Sequence, residues 1–146
     1  MNLKRTNQTK AAITAVGGYV PDTILSNEDL EKMVDTNDAW ITSRTGIKER
    51  RILKDQDKPT SFLAIKAAQD LISKHDINAK SIDLVIVATI TPDMFVAATA
   101  AYVASSIGAH NAFAYDLNAA CSGFLYGMST SAAYITSGRY KKVLLI

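Results

Sequence analysis

Residues 114–128 read AYDLNAACSGFLYGM and place the chain's single cysteine where a buried strand turns into a helix. Cys121 falls at or near the helix start, where unpaired N–H groups and the positive end of the helix dipole favour an anion. A thiolate held there is available as a nucleophile. Ala119, Ala120, Ser122 and Gly123 leave room for a substrate beside the sulfur. The same spacing also suits a small core residue, because free cysteines are among the most buried types. A second constellation is Trp40 and Arg44, one helical turn apart on one face. An indole can stack on an adenine and a guanidinium can fork onto phosphate oxygens. Thr36 and Thr45 flank the pair with hydroxyls. The plainer alternative makes Trp40 a packing anchor and pairs Arg44 with Asp38 or Asp35.

Other chemistry-bearing residues read as surface. His75 lies near the end of an amphipathic helix and His110 in a loop, and neither adjoins Cys121 in sequence. Lys48-Glu49-Arg50-Arg51 reads as a solvated, self-paired edge. Gly17–Gly18 is a turn without the GxGxxG spacing of a phosphate loop. Two histidines and one cysteine are too few for a closed zinc site, so no metal is expected.

The elements that must position these residues follow from pattern. Residues 12–16 (AITAV) predict a strand closed by Gly17–Gly18 and Pro21. Ser26 with Asp29 three residues on opens a helix to about Met33. Thr36, Asn37 or Asp38 caps a second short helix that Gly46 ends. Pro59–Thr60–Ser61 starts a longer helix to about His75, with Ala64, Ala68, Leu71 and Ile72 on one face. Asp83–Thr89 is a continuous apolar, β-branched run, the signature of a strand buried on both faces. Residues 97–106 predict a helix, 112–117 a strand, 121–137 a helix and 141–146 another buried strand. In the 121–137 helix, Gly123 and Gly127 are four apart and would let another backbone approach. Strands alternating with helices give an α/β class with a largely parallel sheet.

Composition bounds the rest. The 146 residues carry 48% hydrophobic and 21% charged residues, enough to bury a core. With 16 Lys and Arg against 14 Asp and Glu, the net charge of +2 excludes a nucleic-acid binder that relies on a basic surface. A lone thiol suits a reducing compartment. The polar start MNLKRTNQTK is not a signal peptide, and Thr91-Pro92-Asp93 breaks the most apolar window short of a membrane span. The reading is a soluble, cytoplasmic protein. Leu84–Gly138 contains no Lys or Arg and only Asp93 and Asp116 as acids, which predicts burial on most sides, in a core or at an interface. Ending on Val-Leu-Leu-Ile, the chain reads as a piece of a larger protein.

Together these segments resemble β-ketoacyl-acyl-carrier-protein synthase III, the initiating condensing enzyme of bacterial type II fatty-acid synthesis. The resemblance is carried by Ile13–Pro21 (ITAVGGYVP), Asp35–Arg51 (DTNDAWITSRTGIKERR), Asp83–Asp93 (DLVIVATITPD) and Tyr115–Gly127 (YDLNAACSGFLYG). It implies a thiolase fold, in which two βαβαβαββ halves form a five-layered αβαβα sandwich and pair as a homodimer. The chain would be the N-terminal half, with residues 1–11 a flexible tail and 12–146 a single thiolase-like domain. The implied reaction loads an acyl group, acetyl in the simplest case, from acyl-CoA onto the cysteine. Malonyl-acyl carrier protein then loses carbon dioxide, and its carbanion attacks the acyl-enzyme to give 3-ketoacyl-acyl carrier protein. No cofactor is implied beyond the coenzyme A thioester substrate, and neither a nucleic acid nor a membrane is a partner.

By the resemblance, Cys121 is the catalytic nucleophile and its N–H helps form an oxyanion hole. Trp40 matches the adenine-stacking tryptophan and Arg44 the phosphate-contacting arginine, while Thr36 and Thr45 match residues lining the coenzyme A site. The family's catalytic His and Asn match no position here, so the chain alone is expected to be inactive. The family's pocket-limiting Phe is displaced by one position in Met94-Phe95-Val96, which leaves primer length open. Other thiolase-fold enzymes share the cysteine turn, among them 3-hydroxy-3-methylglutaryl-CoA synthase and the head-to-head condensing enzymes. The WITSRTGI stretch fits synthase III best. A non-catalytic half that binds coenzyme A or serves in assembly is the alternative from another class.

Overall fold

The computed structural model describes residues 10–55 and 57–146. The chain divides into two compact units, Val20–Lys58 and Pro59–Ile146, the latter joined by the residues up to Tyr19. Most of the expected tail lies outside the described residues; Lys10 and Ala11 are exposed and irregular.

In Val20–Lys58, β1 (Ile24–Ser26) pairs antiparallel with β2 (Glu49–Arg51), Leu25 opposite Arg50. The run Lys48–Arg51, expected as a solvated, self-paired edge, is thus partly paired with β1. Arg51 still lies 3.9 Å from Glu49, but Arg50 reaches inward to Asn27. Ser26 forms the anticipated capping box with Asp29 and starts α1 (Asn27–Glu31). Asn37 caps α2 (Asp38–Thr45) by accepting from Trp40 N at 2.8 Å. Gly46 ends α2 at φ +71°, a left-handed conformation that glycine adopts without steric penalty.

In the larger unit, α3 (Thr60–Lys74) precedes a three-stranded parallel sheet. Its centre is β3 (Leu84–Ala88), flanked by β4 (Phe113–Leu117) and β5 (Val143–Leu145), with Ile86 opposite both Tyr115 and Leu145. Between the strands run α4 (Thr99–Ser106) and α5 (Gly123–Thr136). Side chains alternate across the sheet. Val85, Val87 and Leu144 cluster with Ala64 and Ala68 of α3 and Ala100, Val103 and Ala104 of α4. On the opposite face, α5 brings Gly123 against Ala88 and Gly127 against Leu145, so strand backbone comes close at Gly123 and a strand side chain at Gly127. With helices on both faces, β3 is buried throughout Leu84–Val87, which is why its sequence does not alternate.

One expectation is corrected. Residues 12–16 form no strand. Strand structure needs a laterally placed partner, and none of the described strands offers one. The polar groups of this segment turn instead to α3: Val16 O lies 3.0 Å from His75 Nε2, and Gly18 N donates to Asp70 Oδ2 at 3.0 Å. The charge-poor stretch, expected in a core or at an interface, divides between buried and exposed apolar residues. Burial concentrates in β3 and the inner side of α4, whereas Met94, Phe95, Val96, Tyr102, Phe124, Leu125 and Tyr126 are exposed. Its scarcity of charge therefore marks apolar surface as well as core.

Candidate active site

Cys121 sits on a tight turn between β4 and α5. Leu117 ends the strand, Ala120 is left-handed at φ +45°, and a single 3₁₀ turn, Ala120–Ser122, delivers the chain into α5. A non-glycine residue with positive φ carries a backbone cost, and such residues gather at functional sites. The turn keeps Cys121 exposed. It is anchored from below: Thr89 N donates to Leu117 O at 3.1 Å, tying the ends of β3 and β4, and Gly123 rests on Ala88. Cys121 thus stands at the carboxyl ends of parallel strands, where open α/β sheets place their ligands. Asp116, on the same β4, accepts from Thr99 N at 2.8 Å and Ala100 N at 2.7 Å, so one strand sets both the cysteine turn and the start of α4.

Both histidines are remote from this turn. His110 precedes β4, a strand of five residues and so about 16 Å long, while Cys121 follows it. His75 ends α3, whose start bonds to the loop after β3 through Thr60 Oγ1 to Thr91 O at 2.6 Å and Ser61 N to Asp93 Oδ1 at 2.9 Å. The 15 residues of α3 span about 22 Å, carrying His75 to the opposite end of the sheet.

The aromatic–cation pair lies in the other unit. Trp40 is 54% exposed, and the Arg44 guanidinium lies 5.0 Å from its ring centroid. Asp35, Thr36, Asn37 and Trp40 line a shallow cleft of about 230 Å³. Thr36 is half-buried there. Thr45 is exposed, and its hydroxyl bonds back to neighbouring backbone, donating to Ile41 O at 2.7 Å and accepting from Ile47 N at 3.1 Å. Arg44 stacks on Trp40 rather than pairing with Asp38, whose Oδ1 is taken by Asn27 and Thr42. Those two hydrogen bonds, Asn27 first, hold the Asp38 carboxyl below its ordinary pKa. The cysteine and the Thr36, Trp40, Arg44 and Thr45 group therefore belong to different compact units. Sequence reasoning missed Asn27, whose only visible trait was its place after a helix cap, and the left-handed Ala120, for which alanine gives no signal. Among the described residues, no group of three or more His, Cys, Asp or Glu could hold a metal ion. No helix among them is long and apolar enough to cross a membrane.

The 3-oxoacyl-[acyl-carrier-protein] synthase III family matches residues 115–146. The chain is 58% identical over 137 residues to β-ketoacyl-[acyl-carrier-protein] synthase III of Chlorobium chlorochromatii, covering 94% of the chain and 42% of that protein. Among solved structures, 3-oxoacyl-[acyl-carrier-protein] synthase III from Aquifex aeolicus superposes with a TM-score of 0.84 at 42% identity, covering 90% of this chain and 42% of that one. The priming β-ketosynthase of the R1128 polyketide pathway gives a TM-score of 0.87 at 30% identity, covering 99% and 43%. The chain spans about two fifths of the length of the curated relatives it matches. In sequence the chain is similar to about two fifths of β-ketoacyl-[acyl-carrier-protein] synthase III, and its fold is of the thiolase type seen in the structures it superposes on.

Proposed function

We propose that this chain supplies the nucleophile and the coenzyme A nucleotide site of an enzyme that condenses acyl-CoA with malonyl-acyl carrier protein. The observation that carries the reading is Cys121, exposed on a turn shaped by left-handed Ala120 at the carboxyl ends of β3 and β4. The Cys121 thiolate attacks the thioester carbonyl of acyl-CoA, the C–S bond to coenzyme A breaks, and the coenzyme leaves as its thiolate, which takes up a proton from solvent. One thioester replaces another, so the step is nearly balanced in energy. Malonyl-acyl carrier protein then loses carbon dioxide, which creates a carbanion without a strong base. The carbanion attacks the acyl carbon, and Cys121 leaves with the electron pair as 3-ketoacyl-acyl carrier protein forms. Each stage places negative charge on a thioester oxygen and needs donors already aimed at it. The Cys121 N–H is one such donor in this reading. His75 and His110, at the far end of the sheet, are not candidates, so the others come from elsewhere in the intact protein, which acts as a homodimer.

Trp40 stacks on the adenine, Arg44 engages phosphate, and Thr36 and Thr45 border the coenzyme, with no cofactor besides the substrate thioester. The setting is the cytoplasm, where type II fatty-acid synthesis runs. Incubating the intact protein with acetyl-CoA tests the proposal. The Cys121 peptide should gain one acetyl group by mass spectrometry, with release of one coenzyme A. Full primer transfer by Cys121→Ala would overturn it.

A further inference from the structure

We propose that Asn27 is a positioning residue for the coenzyme A site, fixing the orientation of α2 so that Trp40 and Arg44 are presented together. The inference rests on the nucleotide reading of α2 given above. In Val20–Lys58 only Ile41 and Asn27 are fully buried among the described residues, and Asn27 is 2% exposed. A buried amide is costly unless its hydrogen-bonding groups are satisfied. Here they are all engaged, and the partners converge on α2 from several directions. Asn27 Nδ2 donates to Asp38 Oδ1 at 2.7 Å, in the first turn of α2, and to Ile47 O at 2.8 Å, just beyond its C-cap. Thr42 Oγ1, one turn after Asp38, lies 3.4 Å from the same nitrogen. On its other side, Asn27 Oδ1 accepts from Arg50 Nη1 of β2 at 2.6 Å, and the backbone N–H of Asn27 donates to Lys48 O at 3.1 Å.

Helical geometry converts this hub into orientation. Asp38, itself exposed, and Thr42 are four residues apart and form the row of α2 turned inward to Asn27. Trp40 and Arg44 are also four apart, but each lies two residues further along, about 200° around the axis. Holding the inward row at both ends therefore aims the outward row. Neither an aspartate nor an aliphatic side chain could replace the amide. The hub needs two donors, for Asp38 and Ile47, and one acceptor, for Arg50. A carboxylate would supply only acceptors and would face Asp38 across a hydrogen-bond distance.

The test compares Cys121 acylation of the intact protein by two donors, acetyl-CoA and acetyl-pantetheine, which lacks the nucleotide. Asn27→Asp should raise KM for acetyl-CoA by about tenfold. Its kcat, and its KM for acetyl-pantetheine, should stay within about twofold of wild type. Adding Asp38→Asn returns a donor opposite the new carboxylate and should recover part of the acetyl-CoA KM. Asn27→Ala removes the hub without adding charge, and the same split is expected of it if Asn27→Asp does not fold. Equal losses with both donors, or no loss with either, would overturn the positioning role. Trp40→Ala is run alongside. If it fails to separate the donors, the nucleotide reading falls. If it separates them while the Asn27 variants do not, only the positioning role falls.

Discussion

The Arg44 guanidinium lies over the Trp40 ring, and that contact governs what replacement of either residue does. An exposed cation–π contact contributes about 0.5–1 kcal/mol, little enough for the proposed nucleotide to displace it. Trp40→Ala should raise KM for acyl-CoA more than it lowers transfer from an acyl-carrier-protein donor, measured by initial rates with each. Arg44→Ala should weaken coenzyme A binding by roughly 1.5–3 kcal/mol in titration calorimetry, because a charge-assisted hydrogen bond to phosphate is lost. Unchanged affinity in both folded variants would return Trp40 to a packing role. At this scale the sequence was informative where chemistry follows from spacing, as in the i, i+4 pair and in Cys121 before a helix. It was silent on Asn27, whose role depends on Asp38, Ile47 and Arg50 arriving from positions 11 to 23 residues away. It was equally silent on Ala120, because φ is set by the turn that must be closed and not by the methyl group.

Helices and central strands were legible because their signals are local or repeated. Ser26, Asn37 and Gly46 act as caps where capping chemistry puts them. The apolar run of β3 reflects two covered faces. The strand expected at 12–16 failed because pairing is a property of a neighbour, and the three-residue β1–β2 ribbon escaped notice for the same reason. One element-level join is sensitive to pH. Asp83 Oδ2 accepts from Lys142 N at 2.9 Å and Lys141 N at 2.8 Å, clamping the entry to β5 beside β3. These bonds, Lys142 first, lower the Asp83 pKa in the folded chain. A folded pKa below the unfolded one means that the clamp's stabilisation is present above the unfolded value, near 3.9, and is lost as pH falls through the folded value. Urea midpoints of wild type and Asp83→Ala should therefore differ at pH 6 and draw together as pH falls below about 3.9. A gap that persists undiminished at low pH would mean the carboxylate's charge is irrelevant to the join.

For the molecule as a whole, residues 1–146 produced alone should not catalyse the condensation. Both histidines are at the wrong end of the sheet, and losing even one oxyanion donor typically costs ~10²–10³ in rate. The same polypeptide should self-associate, because Phe95, Phe124, Leu125 and Tyr126 are exposed and the outer edges of β4 and β5 are unpaired among the described strands. Light scattering showing a clean monomer that also turns over malonyl-acyl carrier protein would contradict both expectations. The sparse interior of Val20–Lys58 has a separate consequence. With only Ile41 and Asn27 fully buried among its described residues, this unit gains little from apolar burial, while β3 is sealed on both faces. Regions so differently cored open with different free energies. In hydrogen–deuterium exchange, the amides of α1 and α2 should exchange well before those of β3, and saturating coenzyme A should slow the former selectively. The ligand would then be ordering the surface that receives it, and part of its intrinsic affinity would be spent on that ordering.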